Sequence, residues 1–309
     1  MQHKLSGCES NCDGKFPSRI CGFSVTEKQR QIWGVELDLY REFARVCALY
    51  DIKYQVAYGT LLGAVRHAGF IPWDDDFDVW MDRENYEKFL LNAPNEIKAP
   101  YFLQTPLSDR HFFSGLCRLR NSATTAIIKG FESSLYNNGI YMDIYVLDGL
   151  VENRLKWVVQ RFFMLVVIKF LSLYHQTRPR STTIKDRMFY ALKPICFLFS
   201  YERWVSFYNR IISWHTSKAD RLSCLICSSW RGKAYWVTKR ELQETVYLPF
   251  EGVSVPAPAA YSAILTRIYG RYKDFPSADK RGAWHKGMVY FDPSMSYKEY
   301  FQGRRYGFE

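Results

Sequence analysis

The sequence predicts an α/β domain interrupted by a helical insertion, and three observations carry that reading. Residues 76–81 and 139–149 alternate side chains with a period of two, the mark of strands. Ahead of them, Ile32, Val35, Leu39, Phe43 and Val46 recur at three- and four-residue steps, which lays an apolar stripe along a helix. Residues 152–199 differ from both: long apolar runs there sit among nine Lys or Arg and only two acids, Glu152 and Asp186. A chain of 309 residues with 48% apolar content buries a substantial core. One main domain with an insertion fits it better than two equal domains.

Taken in order, the first helix is expected to start at Ser24, with Glu27 three residues later as in a capping box. A short strand over 54–59 ends at Gly59, which permits a tight bend, and Thr60 opens an apolar helix through Leu61, Leu62, Ala64 and Val65. Gly69 stops that helix, with Arg66 and His67 at its far end. After the strand over 76–81, Asp82 caps a helix bearing Tyr86, Phe89 and Leu90. Residues 101–104 and 116–120 read as strands. Residues 139–149 read as a central strand, with Ile140, Met142, Ile144 and Val146 on one face and Tyr141, Asp143, Tyr145 and Leu147 on the other. Toward the end, a helix is expected over 238–247. Pro249, Pro256 and Pro258 then impose a loop with short extended segments. A second helix over 261–269 ends at Gly270, and residues 297–309 are expected at the periphery.

The densest chemistry lies at Asp74, Asp75, Asp76 and Asp78. Four carboxylates so close repel one another, and a cation offsets that charge. Their hard oxygen ligands suit Mg²⁺, or Mn²⁺, and phosphate chemistry better than zinc. A solvated acidic turn is the bland alternative, but the run is flanked by apolar 71–73 and 79–81. On a strand, Asp76 and Asp78 face the same way and share one or two cations. Asp75 points away into a turn role, and Asp74 either reaches the metal through water or accepts a bond from the donor. The first amides of the helix at Gly59 and Thr60 are placed to receive a phosphate. Asp143 needs a partner on its apolar strand: either the same metal or a salt bridge to Arg118 or Arg120. Those two arginines share a strand face and are candidate phosphate or acceptor contacts, or simple ion-pair partners.

The motif YGTLLGAVRHAGFIPWDDDFD at 58–78, continuing through 83–89, resembles the LicD family of phosphocholine transferases, whose relatives include fukutin and the fukutin-related protein. The resemblance resumes at 139–148 and at 248–258, Tyr269-Gly270 and 281–285, and spans roughly residues 30–150 and 235–286. It implies a nucleotidyltransferase-like fold with a mixed central sheet. In that fold Gly59 and Thr60 form the phosphate turn, Asp76 and Asp78 are metal ligands, and Asp143 is the third acid. Arg281 and His285 would reach the donor phosphates. Where the family pattern has two prolines after the Tyr-Gly pair, this chain has Phe275-Pro276. The domains implied are an N-terminal tail over 1–23, a catalytic core over 24–150, a basic apolar helical insertion over 151–234, and a C-terminal region over 235–309 that completes the site. The activity implied is Mg²⁺-dependent transfer of phosphocholine from CDP-choline to a cell-surface glycan or its lipid-linked precursor, of the teichoic acid or lipopolysaccharide type. CDP-ribitol or CDP-glycerol chemistry, RNA nucleotidyl transfer and non-catalytic glycan or membrane binding are the alternatives.

The insertion reads as an interfacial element. Arg161 and Lys169 interrupt its first apolar run and Lys193-Pro194 the second, so neither makes a good span. Aromatic anchors beside Arg178, Arg180, Lys185 and Arg187 suit an anionic membrane surface, with a buried helical hairpin or a dimer face as alternatives. The net charge of +11 is concentrated beside these runs and comes with no nucleic-acid motif, which argues against nucleic acid. Residues 1–10 lack an apolar secretory segment. The eight scattered cysteines read mainly as free thiols in a reducing compartment; Cys8, Cys12 and Cys21 with His3 are a weak zinc pattern, and Cys224–Cys227 is a lone pair. The expected location is therefore cytoplasmic, peripheral on the inner face of the membrane.

Overall fold

The computed structural model describes residues 19–113, 115–129, 132–176, 183–227, 235–277, 281 and 288–305. It is a mixed α/β fold built on a seven-stranded sheet. At its centre lies the strand Ile140–Gly149, whose buried alternate residues make it the spine of the core. On one edge it pairs in parallel with Asp78–Asp82, in a register that sets Asp78 beside Asp143. Asp78–Asp82 in turn pairs antiparallel with the short strand Gln55–Val56. On the other edge the first half of the spine pairs with Cys117–Asn121 and through it with Tyr101–Gln104. The end of the spine pairs with Arg221–Ser223 and onward with Trp236–Thr238.

The 23-residue helix Glu27–Leu49 packs across this sheet, burying Trp33, Leu39, Phe43 and Val46. Its cap is Thr26, whose hydroxyl accepts from the Gln29 amide, and not Ser24 as expected. Ser24 lies in a small hairpin, Arg19–Ile20 against Phe23–Ser24, turned by Cys21 and Gly22 at positive φ. Asp82 caps the helix Arg83–Glu96 through the Asn85 amide, as expected. The helix Tyr58–His67 ends on Ala68 in the left-handed region, one residue before the glycine expected to stop it.

The helix expected over 238–247 is shorter. Thr238 makes a capping box with Glu241, but the helix covers only Lys239–Gln243. Thr245–Phe250 then forms a strand against Val253–Pro258, so the three prolines lie in a hairpin. Its two-residue turn, Glu251–Gly252, has positive φ at both positions, the geometry that matches strand twist. Tyr261–Tyr269 is helical and ends at Gly270, as expected.

The insertion forms the helix Arg154–Tyr174, capped by Asn153, which packs on the helix Tyr201–Ser213; the shorter helices Ile184–Ala191 and Lys193–Cys196 lie beside them. Among the described residues, Arg154–Tyr174 is long and apolar enough to cross a membrane by length and composition, a weak signal in a single helix. Cys47, Cys117, Cys196, Cys224 and Cys227 are free thiols. Cys21 departs from that expectation: it is disulfide-bonded, to a partner outside the described residues. Cys8, Cys12 and His3 lie outside them as well.

Candidate active site

The site begins where the strand Gln55–Val56 turns into the helix Tyr58–His67. Ala57 occupies the N-cap without a side-chain bond, and Tyr58 takes φ +39° to make the turn. Gly59 is there for a close approach: a Cβ on it would lie 2.6 Å from Asp74 Oδ2. The Asp74 carboxylate therefore rests against the helix N-terminus, where the dipole favours a negative group. The Thr60 hydroxyl turns inward and accepts a 2.8 Å bond from the Asp78 amide. Its work is to fix Asp78, whose carbonyl is held in turn by the Ala57 amide. Turn and strand thus brace each other.

Asp74, Asp76 and Asp78 line one cavity of about 810 Å³ together with Gly59 and Arg66. Burial and the mutual repulsion of these acids hold the Asp76 and Asp78 carboxyls well above the usual carboxylate range; for Asp78 the largest charged contribution comes from Asp143. Asp78 Oδ1 is buried without a hydrogen-bond partner. Asp75 is not among the cavity-lining residues.

Asp143 sits one strand over from Asp78 and just behind the cavity wall. Its Oδ1 accepts a 2.6 Å bond from Arg118 Nε, and the Tyr145 hydroxyl reaches Oδ2 at 3.5 Å. The salt bridge foreseen as an alternative is therefore present, and Arg118 is the partner. Arg118 and Arg120 share a face, as expected, and stack over the Tyr141 ring at 4.0 and 4.6 Å. Arg120 is fully committed to structure through Gln104 and the Gly139 carbonyl. Asp148, at the strand end, is buried and held by Arg83 and Thr216.

Arg66 reaches the cavity from the far end of its helix. Its guanidinium is held by the Tyr272 and Asp274 carbonyls and lies over Trp73 and Phe275. Burial lowers its pKa to about 10, so it stays cationic at neutral pH. Arg281 bonds the Pro276 carbonyl and covers Phe23 and Trp73 at the cavity rim. His285 lies outside the described residues.

Several site neighbours escaped the sequence reading. Tyr58 and Tyr235 are two of them; with Tyr145, which lies on the Asp143 strand face as expected, they form an edge-to-face cluster on the cavity wall, with Tyr58 centred 5.0 Å from Tyr145 and 5.8 Å from Tyr235. Cys227 of the dismissed cysteine pair also lines the cavity. Glu36 is 1% exposed with both oxygens unpartnered, and burial and Asp75 raise its pKa. A signal for Glu36 existed: it is an acid on the buried stripe of the first helix, between Ile32 and Tyr40.

Among the described residues, no three acid, histidine or cysteine side chains already converge into a metal cage. The donor set nevertheless fits a hard cation. An unpartnered buried Asp78 oxygen and two companion carboxylates face an open cavity, and Mg²⁺ characteristically takes one or two carboxylates and completes its shell with substrate phosphate and water.

A family profile described as the LicD/FKTN/FKRP nucleotidyltransferase domain matches residues 51–146, which hold the turn, the aspartates and Asp143. The similarity supports assignment at the level of the LicD family. The lipopolysaccharide cholinephosphotransferase LicD of Haemophilus influenzae is 26% identical over 272 residues, covering 86% of this chain and 98% of that protein. An uncharacterized protein of Rickettsia typhi is 57% identical over 44 residues, 14% of each chain, and one of Rickettsia prowazekii is 57% identical over 35 residues. The LicD matches support nucleotidyl- or phosphotransfer chemistry in general, and so a transferase.

Proposed function

We propose that this protein transfers phosphocholine from CDP-choline to a hydroxyl of a cell-surface glycan or its lipid-linked precursor, releasing CMP. The observation that carries the reading is the cavity itself. An acidic edge of Asp74, Asp76 and Asp78 stands beside a tyrosine wall and the cation Arg66. The full-length similarity to a cholinephosphotransferase supports choline as the transferred group.

Asp76 and Asp78 would hold Mg²⁺, or Mn²⁺, whose charge would neutralise the donor diphosphate. Arg66, fixed by two carbonyls, offers a second cation to a phosphate oxygen. The acceptor oxygen attacks the phosphorus that bears choline, the bond from that phosphorus to the CMP oxygen breaks, and CMP leaves. Asp143, behind the cavity wall, would take the acceptor proton through the Tyr145 hydroxyl, which lines the cavity and donates to its Oδ2. Thr60 and Gly59 act through position: one fixes Asp78, the other makes room for Asp74. Tyr58, Tyr145 and Tyr235 on the cavity wall are the candidates to hold a quaternary ammonium, a cation–π contact being worth about 0.5–2 kcal/mol.

The test is a panel of CDP-choline, CDP-ribitol and CDP-glycerol with lipopolysaccharide or teichoic acid precursors, in Mg²⁺ and in chelator, followed by phosphorus NMR. Metal-dependent choline transfer is expected. Preference for ribitol or glycerol would move the donor assignment within the same chemistry. Extension of RNA ends from nucleoside triphosphates, with every CDP donor untouched, would overturn it.

A further inference from the structure

The helix Arg154–Tyr174 carries two apolar stripes. The inner one, Met164, Val167 and Leu171 with Gln160, is buried on the domain. The outer one holds Leu155 at 73% exposure, Phe162 at 61% and Phe163 at 52%, with Val158 and Val159 also exposed. A helix that has only to finish a soluble core places polar residues on that outer face.

Beside the outer stripe runs an open groove of about 510 Å³ against the helix Tyr201–Ser213. Leu155, Val159 and Phe163 form one wall and Ile211 and Trp214 the other. The polar group within it is already satisfied, because Gln160 donates to the Ile211 carbonyl at 2.8 Å. Between its two cations the lining is apolar and suits a hydrocarbon chain. Lys156 and Arg210 stand among the lining residues as the cations. Met188, Phe189, Phe197 and Leu198 are exposed as well.

We propose that this face docks on an anionic lipid bilayer, with one lipid chain lying in the groove between the two helices. Charge decides between lipid and a second copy of the chain. Lys156 and Arg210 are the charged residues lining the groove and no acid is among its lining residues, so a two-fold dimer through this face would set cations against cations. Anionic headgroups attract the same cations, and apolar insertion with a basic rim supplies the two signals that stable surface binding needs. Packing against the helix Tyr201–Ser213 along the inner stripe, and the buried Gln160, keep the helix in the interface plane and not across the bilayer.

The test uses the full chain, without donor or acceptor, so that it stands apart from the transferase reading. Flotation is measured with phosphatidylcholine vesicles lacking or containing phosphatidylglycerol. Binding is expected only with phosphatidylglycerol, weakening with salt. Lys156→Gln and Arg210→Gln should each cost about fivefold in affinity. Phe163→Asp, exposed and so tolerated by the fold, should abolish it. Brominated acyl chains should quench tryptophan emission less in Trp214→Phe than in wild type. The proposal is overturned by a folded protein that binds no vesicle or binds neutral and anionic vesicles alike. It is equally overturned by a lipid-free dimer that Phe163→Asp dissociates, or by resistance to carbonate extraction, which marks a span. Vesicle binding with quenching unchanged in Trp214→Phe would remove the lipid chain from the groove.

Discussion

Replacing Asp78 by Asn should stabilise the metal-free protein while removing its activity. Asp78 and Asp143 are register partners on adjacent parallel strands, which sheet geometry sets about 4.8 Å apart. Two carboxylates at that spacing repel by roughly 3 kcal/mol at an effective dielectric constant of about 20. Arg118 on Asp143 cancels part of this, and Asp74 and burial add to it. The isosteric amide keeps the backbone bond to Thr60 and relieves a net of roughly 1–2 kcal/mol, a rise in Tm of about 2–6 °C. Turnover should fall by about 10²–10³, the scale of a lost electrostatic contact in a transition state. Melting in chelator and in Mg²⁺ completes the assay. A cation at a hundredfold its Kd stabilises by about 2.7 kcal/mol, so wild type should gain in Mg²⁺ and the variant should not. A folded Asp78→Asn protein that melts below wild type in chelator and turns over normally would refute the reasoning at both ends.

Gly59→Ala should spare the fold and impair turnover, because the new Cβ displaces the movable Asp74 carboxylate and not backbone; kcat and melting measured together check this. Asp143→Ala strands the buried Arg118 charge and should cost about 3–5 kcal/mol in urea melts, a loss that Asp143→Ala with Arg118→Met should largely recover. Asp75→Ala should leave Mg²⁺ affinity unchanged, since Asp75 does not line the cavity; a metal-blind Asp75→Ala enzyme would reverse the assignment of faces. Glu251 has its pKa raised by burial to about 7, against the Phe70 amide bond that lowers it. Its cost is therefore absent below about pH 4.5 and complete above about pH 7. Glu251→Gln should gain roughly 1–2 kcal/mol over wild type at about pH 8 and nothing at about pH 4, the full shift being discounted because the carboxyl is only partly buried.

The spine strand, the aspartate strand from Asp78 onward (Asp76, expected on it, lies in the loop before it) and their flanking helices were legible because period and capping act locally. Ile140–Gly149 and the Asp82 cap follow from residues a few positions apart. The failures came where distant chain decides. Thr245–Phe250 is a strand because Val253–Pro258 pairs with it, against the weak helical pattern of 238–247. The bond from the Asp78 amide to the Thr60 hydroxyl was equally invisible, since only the sheet brings Asp78 to that turn. Tyr235 and Cys227 could not be placed beside Asp78 from sequence, since only the pairing of Arg221–Ser223 with the end of the spine brings that segment to the cavity.

These contacts also explain why the acids are arranged unequally. Two carboxylates of the spine strand each have a cation: Asp143 has Arg118 and Asp148 has Arg83. The carboxylates lining the cavity are treated differently. Asp78 keeps an unpartnered buried oxygen, and its neighbours raise its pKa where a salt bridge would lower it. A fold that supplies arginines to Asp143 and Asp148, and none to Asp78, leaves charge for something outside the chain to neutralise. That the same acids form no closed cage is then expected. Under the proposed function, a closed cage would bind its ion equally well with and without substrate, whereas an open set would gain its last ligands only from a donor diphosphate, and so would stabilise the reacting complex above the resting one.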